Sequence, residues 1–294
     1  MSFADRLADY LTHIEHALEA RLPLADEKPA ILHQAMRYAV LGGGKRIRSL
    51  LCYATGELLE IEPAELDDAA CAVEFIHAFS LIHDDLPAMD DDALRRGRPS
   101  THKVFGIANA ILAGDALQTL AFEVLANTKT RHVASRLDML AVLAAATGSR
   151  GMTGGQAIDL ASEEKHLTAA ELEEMDRHKT GRLICASVLM PCCVRTDLDA
   201  KLRAALDRFG DSIGLAFQIR DDVLDVEGDS ALTGKTHGAD AVHDKATYPA
   251  LLGLNQAKLR ADELYVGALT ALEAFGPAAE PLRWMARYIV HRNH

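Results

Sequence analysis

The sequence predicts an all-α fold on the strength of three observations. Nearly every long segment carries apolar residues at spacings of three and four, the pattern of an amphipathic helix. Aromatic residues make up only 5% of the 294 residues, whereas alanine, the strongest helix former, is very common. No segment shows the alternation of apolar and polar residues that marks a half-buried strand between turns.

The predicted helices follow one another along the chain. The first is indicated by four apolar residues at helical spacing, Leu7, Leu11, Ile14 and Leu18. Gly42–Gly44 ends the segment that begins near Pro29, because glycines permit left-handed turns. The next helix runs from about Pro63 to Asp84, since proline suits a first helical turn. Further helices are predicted over 106–127, 132–147, 168–190, 198–227 and 254–274. No flexible linker divides the chain, which predicts a single domain of residues 1–294.

Composition narrows the class of protein. Apolar residues make up 49% and charged residues 25% of the chain, as in globular proteins, and the net charge of −12 disfavours nucleic acid as a partner. The five cysteines lack the paired spacing of a zinc site, so we expect a cytoplasmic protein. Acidic residues interrupt the N-terminal segment, unlike a signal peptide, and the apolar runs are too short to span a membrane.

The first of two acidic clusters covers residues 84–92. It contains five carboxylates in the sequence DDLPAMDDD and follows an apolar helix that includes Phe75 and Phe79. A solvated acidic face normally alternates with basic residues, so this placement is unusual. The second cluster comprises Asp221, Asp222 and Asp225, and it also follows an apolar helix.

The two clusters together predict a magnesium site. Asp221 and Asp225 lie on one helical face, where like charges repel unless a cation is shared. Mg²⁺ uses one or two carboxylates with waters and phosphate oxygens, and neither cluster has the loop of a calcium-binding hand. The alternative is that each cluster is a helix end exposed to water, which two clusters of the same type disfavour.

Basic residues stand next to the glycines and after the first acidic cluster. Lys45, Arg46 and Arg48 follow the glycines, and Arg95 and Arg96 follow the acids. Because arginine binds phosphate bidentately, the two groups could hold two separate diphosphates. Either group could instead be a solvated face. Lys179, Lys235 and Lys245 are weaker candidates when each is considered alone.

At this point the chain resembles the trans-prenyl diphosphate synthases, and within them the bacterial farnesyl diphosphate synthase type. The resemblance covers essentially the whole sequence. It rests on the motifs GGKRIR (43–48), HAFSLIHDD (77–85), the expanded acidic motif DDLPAMDDD (84–92), RRG (95–97), GDAL (114–117), GGQ (154–156), KTG (179–181) and FQIRDD (217–222). The chain departs from the family at Ser49, where proline is usual, and at Gly42, a third glycine; both departures predict a looser turn.

The resemblance implies an isoprenoid-synthase-type helical bundle around a deep central cavity, a homodimer, and several magnesium ions. It implies that Asp84 and Asp90 bind metal directly with support from Asp85, that Asp221 is the main ligand of the second motif, and that Asp222 and Asp225 act through water. The expected allylic diphosphate ligands are Arg95, Lys179, Thr180, Gln218 and Lys235. Those expected for isopentenyl diphosphate are Gly44, Lys45, Arg48, His77 and Arg96.

The reaction implied is ionisation of an allylic diphosphate, attack by isopentenyl diphosphate, and loss of a proton, which is assigned to the released diphosphate. Phe79 precedes Asp84 by five residues, about 7.5 Å along a helix, and could form the cavity floor, with Phe75 one turn deeper. In the resembling family an aromatic residue here stops growth at the C15 chain, although Phe79 could be core alone. His83 is expected to pack rather than bind metal.

Other readings remain open at the level of sequence. The expanded first motif also suits a geranylgeranyl diphosphate synthase, with Phe79 as the discriminating residue. A noncatalytic regulatory subunit of a heteromeric synthase would be expected to lose acidic or lysine ligands, which are intact here. A terpene cyclase would not need the second diphosphate site at Lys45, Arg48 and His77, and an acidic interaction module would need no buried acids.

Overall fold

The computed structural model describes residues 3–129, 132–162, 167–227 and 246–292. In this part of the chain nearly all regular structure is helical, which confirms the all-α prediction. The helices are α1 (Phe3–Arg21), α2 (Ala30–Val40), α3 (Ile47–Leu58), α4 (Pro63–Asp84), α5 (Thr101–Phe105), α6 (Ile107–Ala126), α7 (Val133–Thr147), α8 (Met152–Leu160), α9 (Ala169–Asp176), α10 (Arg182–Val194), α11 (Ala200–Glu227), α12 (Tyr248–Leu252), α13 (Leu254–Ala271) and α14 (Glu280–His291).

Local sequence explains several helix boundaries. Pro63 occupies the first turn of α4, where its missing N–H costs nothing. Thr168 caps α9: its hydroxyl accepts from the backbone N–H of Glu171, whose side chain accepts from Thr168 in return. Before α3 the chain turns through Gly43, Gly44 and Arg46, all with positive φ, so the glycines do end the second helix as predicted.

The structure differs from the predicted elements in its helix breaks, in four helices that were not predicted (α3, α5, α8 and α14) and in a pair of short strands. The predicted helix 168–190 is α9 and α10 joined by one wider π turn, Arg177–Gly181, and the helix predicted to reach residue 274 ends at Ala271. The helix α3 was not predicted, because its first turn has neither a proline nor an acidic residue to mark a helix start. Two very short strands, β1 (Leu94–Arg95) and β2 (Arg98–Pro99), pair antiparallel after the first acidic cluster.

The core places α4 in the middle of the bundle. This helix packs against α6, α3 and α10, and most of its residues from Leu66 to Asp84 are buried. The helix α11 packs against α10 and α13. Both acidic clusters therefore lie at the ends of helices that the core fixes firmly, which is what positions their carboxylates. Within the described ranges, none of the helices is both long enough and apolar enough to cross a bilayer.

Candidate active site

The first acidic cluster lies where α4 ends and the next loop turns back. The backbone N–H of Asp90 donates to the carbonyl of Asp84 over 2.8 Å, which brings the two residues together. Asp84 is buried, and Gln156 Nε2 donates to its Oδ1 over 2.9 Å. Burial raises the pKa of Asp84 and the charge of Asp90 adds to the rise, while Lys179 opposes it. The predicted metal ligands Asp84 and Asp90 are thus neighbours, and their metal binding stays a prediction.

Arg95 neutralises the second residue of that cluster. Its Nε donates to Asp85 Oδ1 over 2.9 Å, and its Nη2 contacts both Asp85 and Asp92. The strands β1 and β2 present this side chain, with Arg96 and Gly97 in left-handed conformation at the turn between them. Arg95 therefore links Asp85 to Asp92, and the supporting role of Asp85 at the metal stays a prediction.

Lys179 lies in the π turn between α9 and α10. Its ammonium group donates to Asp159 Oδ2 at 2.5 Å. Burial alone would lower the pKa of Lys179, but the charges of Asp84, Asp159 and Asp90 raise it above its usual value. A Cβ at Gly155 would come within 2.2 Å of the Lys179 backbone nitrogen, so glycine lets α8 approach the π turn. Such widened turns are frequent at functional sites.

Asp221 of the second cluster is bound by an arginine from the end of the chain. Its side chain is 44% exposed, and Arg292 Nη2 donates to its Oδ1. The Arg292 guanidinium also stacks on the ring of Phe217, 4.3 Å from its centroid, while its Nε and Nη1 have no hydrogen-bond partner. A cation already sits where the second motif was predicted to bind metal.

Asp222 faces the protein interior. Gln218 Nε2 donates to its Oδ1 over 2.9 Å, and the backbone N–H of Tyr248 donates to its Oδ2 over 3.1 Å. Gln218 also accepts from the hydroxyl of Thr180 over 3.1 Å. The structure thus brings three predicted site residues into one hydrogen-bonded chain between the π turn, α11 and the start of α12. Asp225 lies one helical turn beyond Asp221, on the same face.

The basic residues gather around His77 on α4. Burial and the charges of four arginines, Arg48, Arg96, Arg95 and Arg46, lower the pKa of His77 well below its usual range. Burial also lowers the pKa of Arg48 to about 10, an effect that Arg96 increases and that Glu74 and Asp221 oppose. The Nε of Arg48 is buried without a hydrogen-bond partner. An anion would relieve this concentration of positive charge.

The glycine turn lies against the same group. Arg96 Nη1 donates to the carbonyl of Gly43, and a Cβ at Gly44 would come within 2.8 Å of the Arg96 guanidinium carbon. Lys45 is exposed in this turn. The residues predicted for isopentenyl diphosphate are therefore neighbours through Arg96, although they come from α3, α4 and the β1–β2 hairpin.

Phe79 and Phe75 both point into the core from α4. Phe79 is 7% exposed and packs edge-on against His83, with ring centroids 5.0 Å apart, while Phe75 is fully buried. His83 Nε2 donates to the carbonyl of Ile111 on α6 over 3.1 Å, so its packing role is confirmed. Both phenylalanines are buried in the core, and their role as the floor of a cavity stays a prediction.

The carboxylates suit a hard cation without forming a closed cage. Among the described residues, no three acidic, histidine or cysteine side chains converge as a ready-made metal cluster. The nearby Asp84 and Asp90 offer only oxygen donors, as Mg²⁺ prefers when phosphate oxygens and water complete its shell. The residues present therefore fit magnesium held jointly with a diphosphate. Lys235 and Lys245 lie outside the described residues.

Sequence reasoning missed four residues that shape this site. Gln156 holds Asp84, Asp159 holds Lys179, Arg292 holds Asp221, and Glu74 accepts from Arg46. Only Gln156 gave a signal, as the last residue of the motif at 154–156. The other three are single residues far from any motif, and their roles appear only when the helices are packed.

These features define an all-helical enzyme with two acidic clusters and a basic site for polyanions. The model of the polyprenyl synthetase family matches residues 29–270. The chain is 48% identical to the farnesyl diphosphate synthase of Haemophilus influenzae, covering 99% of both chains, and 46% identical to that of Escherichia coli K12, covering 100% of both.

The fold also matches that of a solved structure. Geranyltransferase from Helicobacter pylori, complexed with magnesium and isoprenyl diphosphate, is 33% identical and superimposes with a TM-score of 0.85 over 99% of this chain and 97% of that one. The chain belongs to the polyprenyl synthetase family.

Proposed function

We propose that this protein condenses isopentenyl diphosphate with dimethylallyl diphosphate and then with geranyl diphosphate, head to tail, to make farnesyl diphosphate. The observation that carries the proposal is the division of the site. Asp84, Asp90, Lys179 and Arg95 form one polar group, and Arg46, Arg48 and Arg96 around His77 form another. Two diphosphates need two such groups, whereas hydrolysis or cyclisation of one substrate needs a single one.

The allylic diphosphate is held by Arg95, Lys179, Thr180, Gln218 and Lys235. The first two supply charge and the next two supply hydrogen bonds near the reacting carbon. Isopentenyl diphosphate is held by Gly44, Lys45, Arg48, His77 and Arg96. The unpartnered Nε of Arg48 supports this second assignment, since a buried donor without a partner costs free energy that a phosphate oxygen recovers.

Magnesium is held by Asp84, Asp85 and Asp90 on one side and by Asp221, with Asp222 and Asp225 through water, on the other. When bound, magnesium stabilises the negative charge that develops on the departing diphosphate. The complex of the Helicobacter pylori geranyltransferase with magnesium and isoprenyl diphosphate supports magnesium as the metal. Lys179 and Arg95 add positive charge at the same place, an effect that in other enzymes is worth about 3 kcal/mol for one donor.

The apolar core below Asp84 protects the allylic cation from water. Phe79 and Phe75 lie below the first acidic cluster on the same helix and limit the product to fifteen carbons. The released diphosphate accepts the proton in the last step. The expected alternative with a C20 product would need a small residue at position 79.

We further propose that the protein is a homodimer through α6. This helix is apolar on both faces: Ala110, Ala113 and Leu117 pack inside, while Ile107 and Leu112 are 51% and 53% exposed. A helix that is apolar all round is normally covered on all sides. Light scattering coupled to size exclusion should give twice the mass of one chain, and Leu112→Glu should reduce it to one.

We also propose a single domain and a cytoplasmic location for this protein. Residues 1–294 form one domain, supported by a hydrophobic core that includes residues from Ile14 on α1 to Val290 on α14. The protein works in the cytoplasm, supported by five free, buried cysteines.

A single assay tests the proposed function. Purified protein is incubated with Mg²⁺, isopentenyl diphosphate and dimethylallyl diphosphate, and the products are sized by chromatography after dephosphorylation. We expect farnesol as the main product and none when a chelator replaces the metal. No prenyl product, or one formed from a single substrate, would contradict the proposal.

A further inference from the structure

A buried carboxylate lies directly behind the basic site without facing it. Glu74 is on α4, one turn before His77, and its side chain is 3% exposed. Its Oε1 accepts from both the backbone N–H and the hydroxyl of Ser49, over 3.2 and 3.0 Å. Its Oε2 accepts from Arg46 Nη1 over 3.2 Å. Both oxygens are therefore engaged by the first turn of α3 and the residue before it.

Arg46 needs this support because of its backbone conformation. It has φ 51° and ψ 30°, in the left-handed region, which costs about 1 kcal/mol or more for a residue with a Cβ. Its guanidinium also binds Glu15, with Nε 2.7 Å from Oε1, and the carbonyl of Val40 over 2.7 Å. Arg46 is thus fixed by α1, α2 and α4 together. It lies between Lys45 and Arg48, the two cations proposed to hold isopentenyl diphosphate.

Ser49 also links the start of α3 to Glu74 on α4. Its hydroxyl oxygen lies 3.0 Å from both the carbonyl of Arg46 and Glu74 Oε1, which share its one proton. The turn at this position was expected to be looser because of Ser49, and the structure shows the opposite, since the serine attaches the start of α3 to α4. The arginines around His77 repel one another, and Glu74 is the carboxylate that opposes the lowered pKa of Arg48 most strongly.

We propose that Glu74 and Ser49 are positioning residues for the isopentenyl diphosphate site. They hold Arg46 in its left-handed conformation and so place Lys45 and Arg48 on either side of it. Neither contacts the substrate, because Glu74 is buried with both oxygens occupied and Ser49 is fully buried. The inference rests on the proposed function and adds a mechanism by which the basic site is kept in register with His77.

Steady-state kinetics with each substrate varied in turn tests the proposal. We expect Glu74→Gln to raise the KM for isopentenyl diphosphate about tenfold, with the KM for dimethylallyl diphosphate changed less than twofold. Ser49→Ala should raise the first KM about threefold, and Ser49→Thr, which keeps the hydroxyl, should restore it. Thr55→Val is the matched control, because it removes another buried hydroxyl of α3 that donates only to Leu51 of its own helix.

Calorimetric binding of isopentenyl diphosphate to each variant, without an allylic substrate, gives a second measurement that does not depend on turnover. If Glu74→Gln fails to fold, the Ser49 series carries the test. The proposal is overturned if the two KM values rise together, if neither rises, or if Ser49→Thr is no better than Ser49→Ala. Wild-type protein that neither binds isopentenyl diphosphate nor forms product would instead contradict the proposed function.

Discussion

The two acidic clusters both begin with a pair of aspartates but have very different surroundings. At the first, the side chain of Asp85 is 3% exposed and clamped by Arg95, and Asp84 is held by Gln156. At the second, the side chain of Asp221 is 44% exposed and its partner is Arg292, from the end of the chain. The first cluster is fixed by α8 and by the β1–β2 hairpin, whereas Asp221 of the second is bound by a residue that follows α14.

The second aspartate of each cluster, Asp85 or Asp222, also has different partners in the two clusters. Asp85 is bound by Arg95 of the β1–β2 hairpin, which neutralises its charge within the cluster. Asp222 accepts from Gln218 and from the backbone of Tyr248, so it connects α11 to the start of α12. Equal motifs therefore do not imply equal contributions to metal binding. We expect the first cluster to dominate catalysis and the second to adjust it.

The largest effect is expected at Asp84. Asp84→Asn keeps the shape and the contact with Gln156 but removes the charge that would hold magnesium. We expect kcat to fall about a thousandfold, equivalent to about 4 kcal/mol, because stabilising the departing diphosphate is the hardest step. Single-turnover product formation at saturating substrates measures it. The control is Asp197→Asn, which changes an exposed aspartate that pairs with Arg195. A fall in kcat of less than tenfold for Asp84→Asn would show that the first cluster does not dominate catalysis.

A smaller loss of kcat is expected when Asp221 is replaced. Asp221→Asn should reduce kcat about thirtyfold and raise the half-saturating magnesium concentration, since the exposed carboxylate contributes less to a site that water already reaches. The matched variant Asp222→Asn should instead lower the free energy of unfolding by about 1 kcal/mol through its lost hydrogen bond. Equal kinetic losses at Asp84 and Asp221 would show that the clusters act as one unit.

Product length should respond to one cluster only. Phe79 lies five residues before Asp84, and Phe217 lies four residues before Asp221. Phe79 is buried in the core below the site, whereas Phe217 carries the guanidinium of Arg292. Phe79→Ala should raise the ratio of C20 and longer products to C15 about tenfold, because truncation opens space beneath the growing chain.

The comparison between the two phenylalanines is the control for that prediction. Phe217→Ala should leave the product ratio unchanged while altering magnesium dependence through Arg292. Chromatography of dephosphorylated products measures both variants. An unchanged profile in Phe79→Ala, or a lengthened one in Phe217→Ala, would refute the assignment of α4 as the floor.

The sequence could predict the parts of the site that lie within one element. The i, i+4 spacing of Asp221 and Asp225 and the position of Phe79 before Asp84 follow from helical geometry alone. The resemblance to known synthases supplied the pairing of distant motifs. The pairings of Gln156 with Asp84 and Arg292 with Asp221 could not be predicted, because each depends on how helices far apart in sequence pack.

The helices of the fold, like the residues of the site, could be predicted only in part. Helices such as α1 and α4 were predicted within a few residues, since their boundaries carry proline or charged residues. The helix α3 was missed because its first turn carries neither a proline nor an acidic residue to mark where it begins. The π turn at Lys179 was missed because apolar residues at helical spacing continue on both sides of it; in the structure Gly155 and Gly214 both approach this turn closely.

The smallest expected effect is a change in the half-saturating magnesium concentration, and it tests directly whether Arg292 sets the second cluster apart from the first. Arg292→Gln removes the guanidinium from Asp221 while keeping a polar side chain over Phe217. Because a metal ion and a guanidinium compete for the same carboxylate, the half-saturating magnesium concentration should fall about threefold, with kcat changed less than twofold. Activity measured across a magnesium titration tests this. An increased magnesium requirement would show that Arg292 helps to assemble the second cluster rather than occupying it.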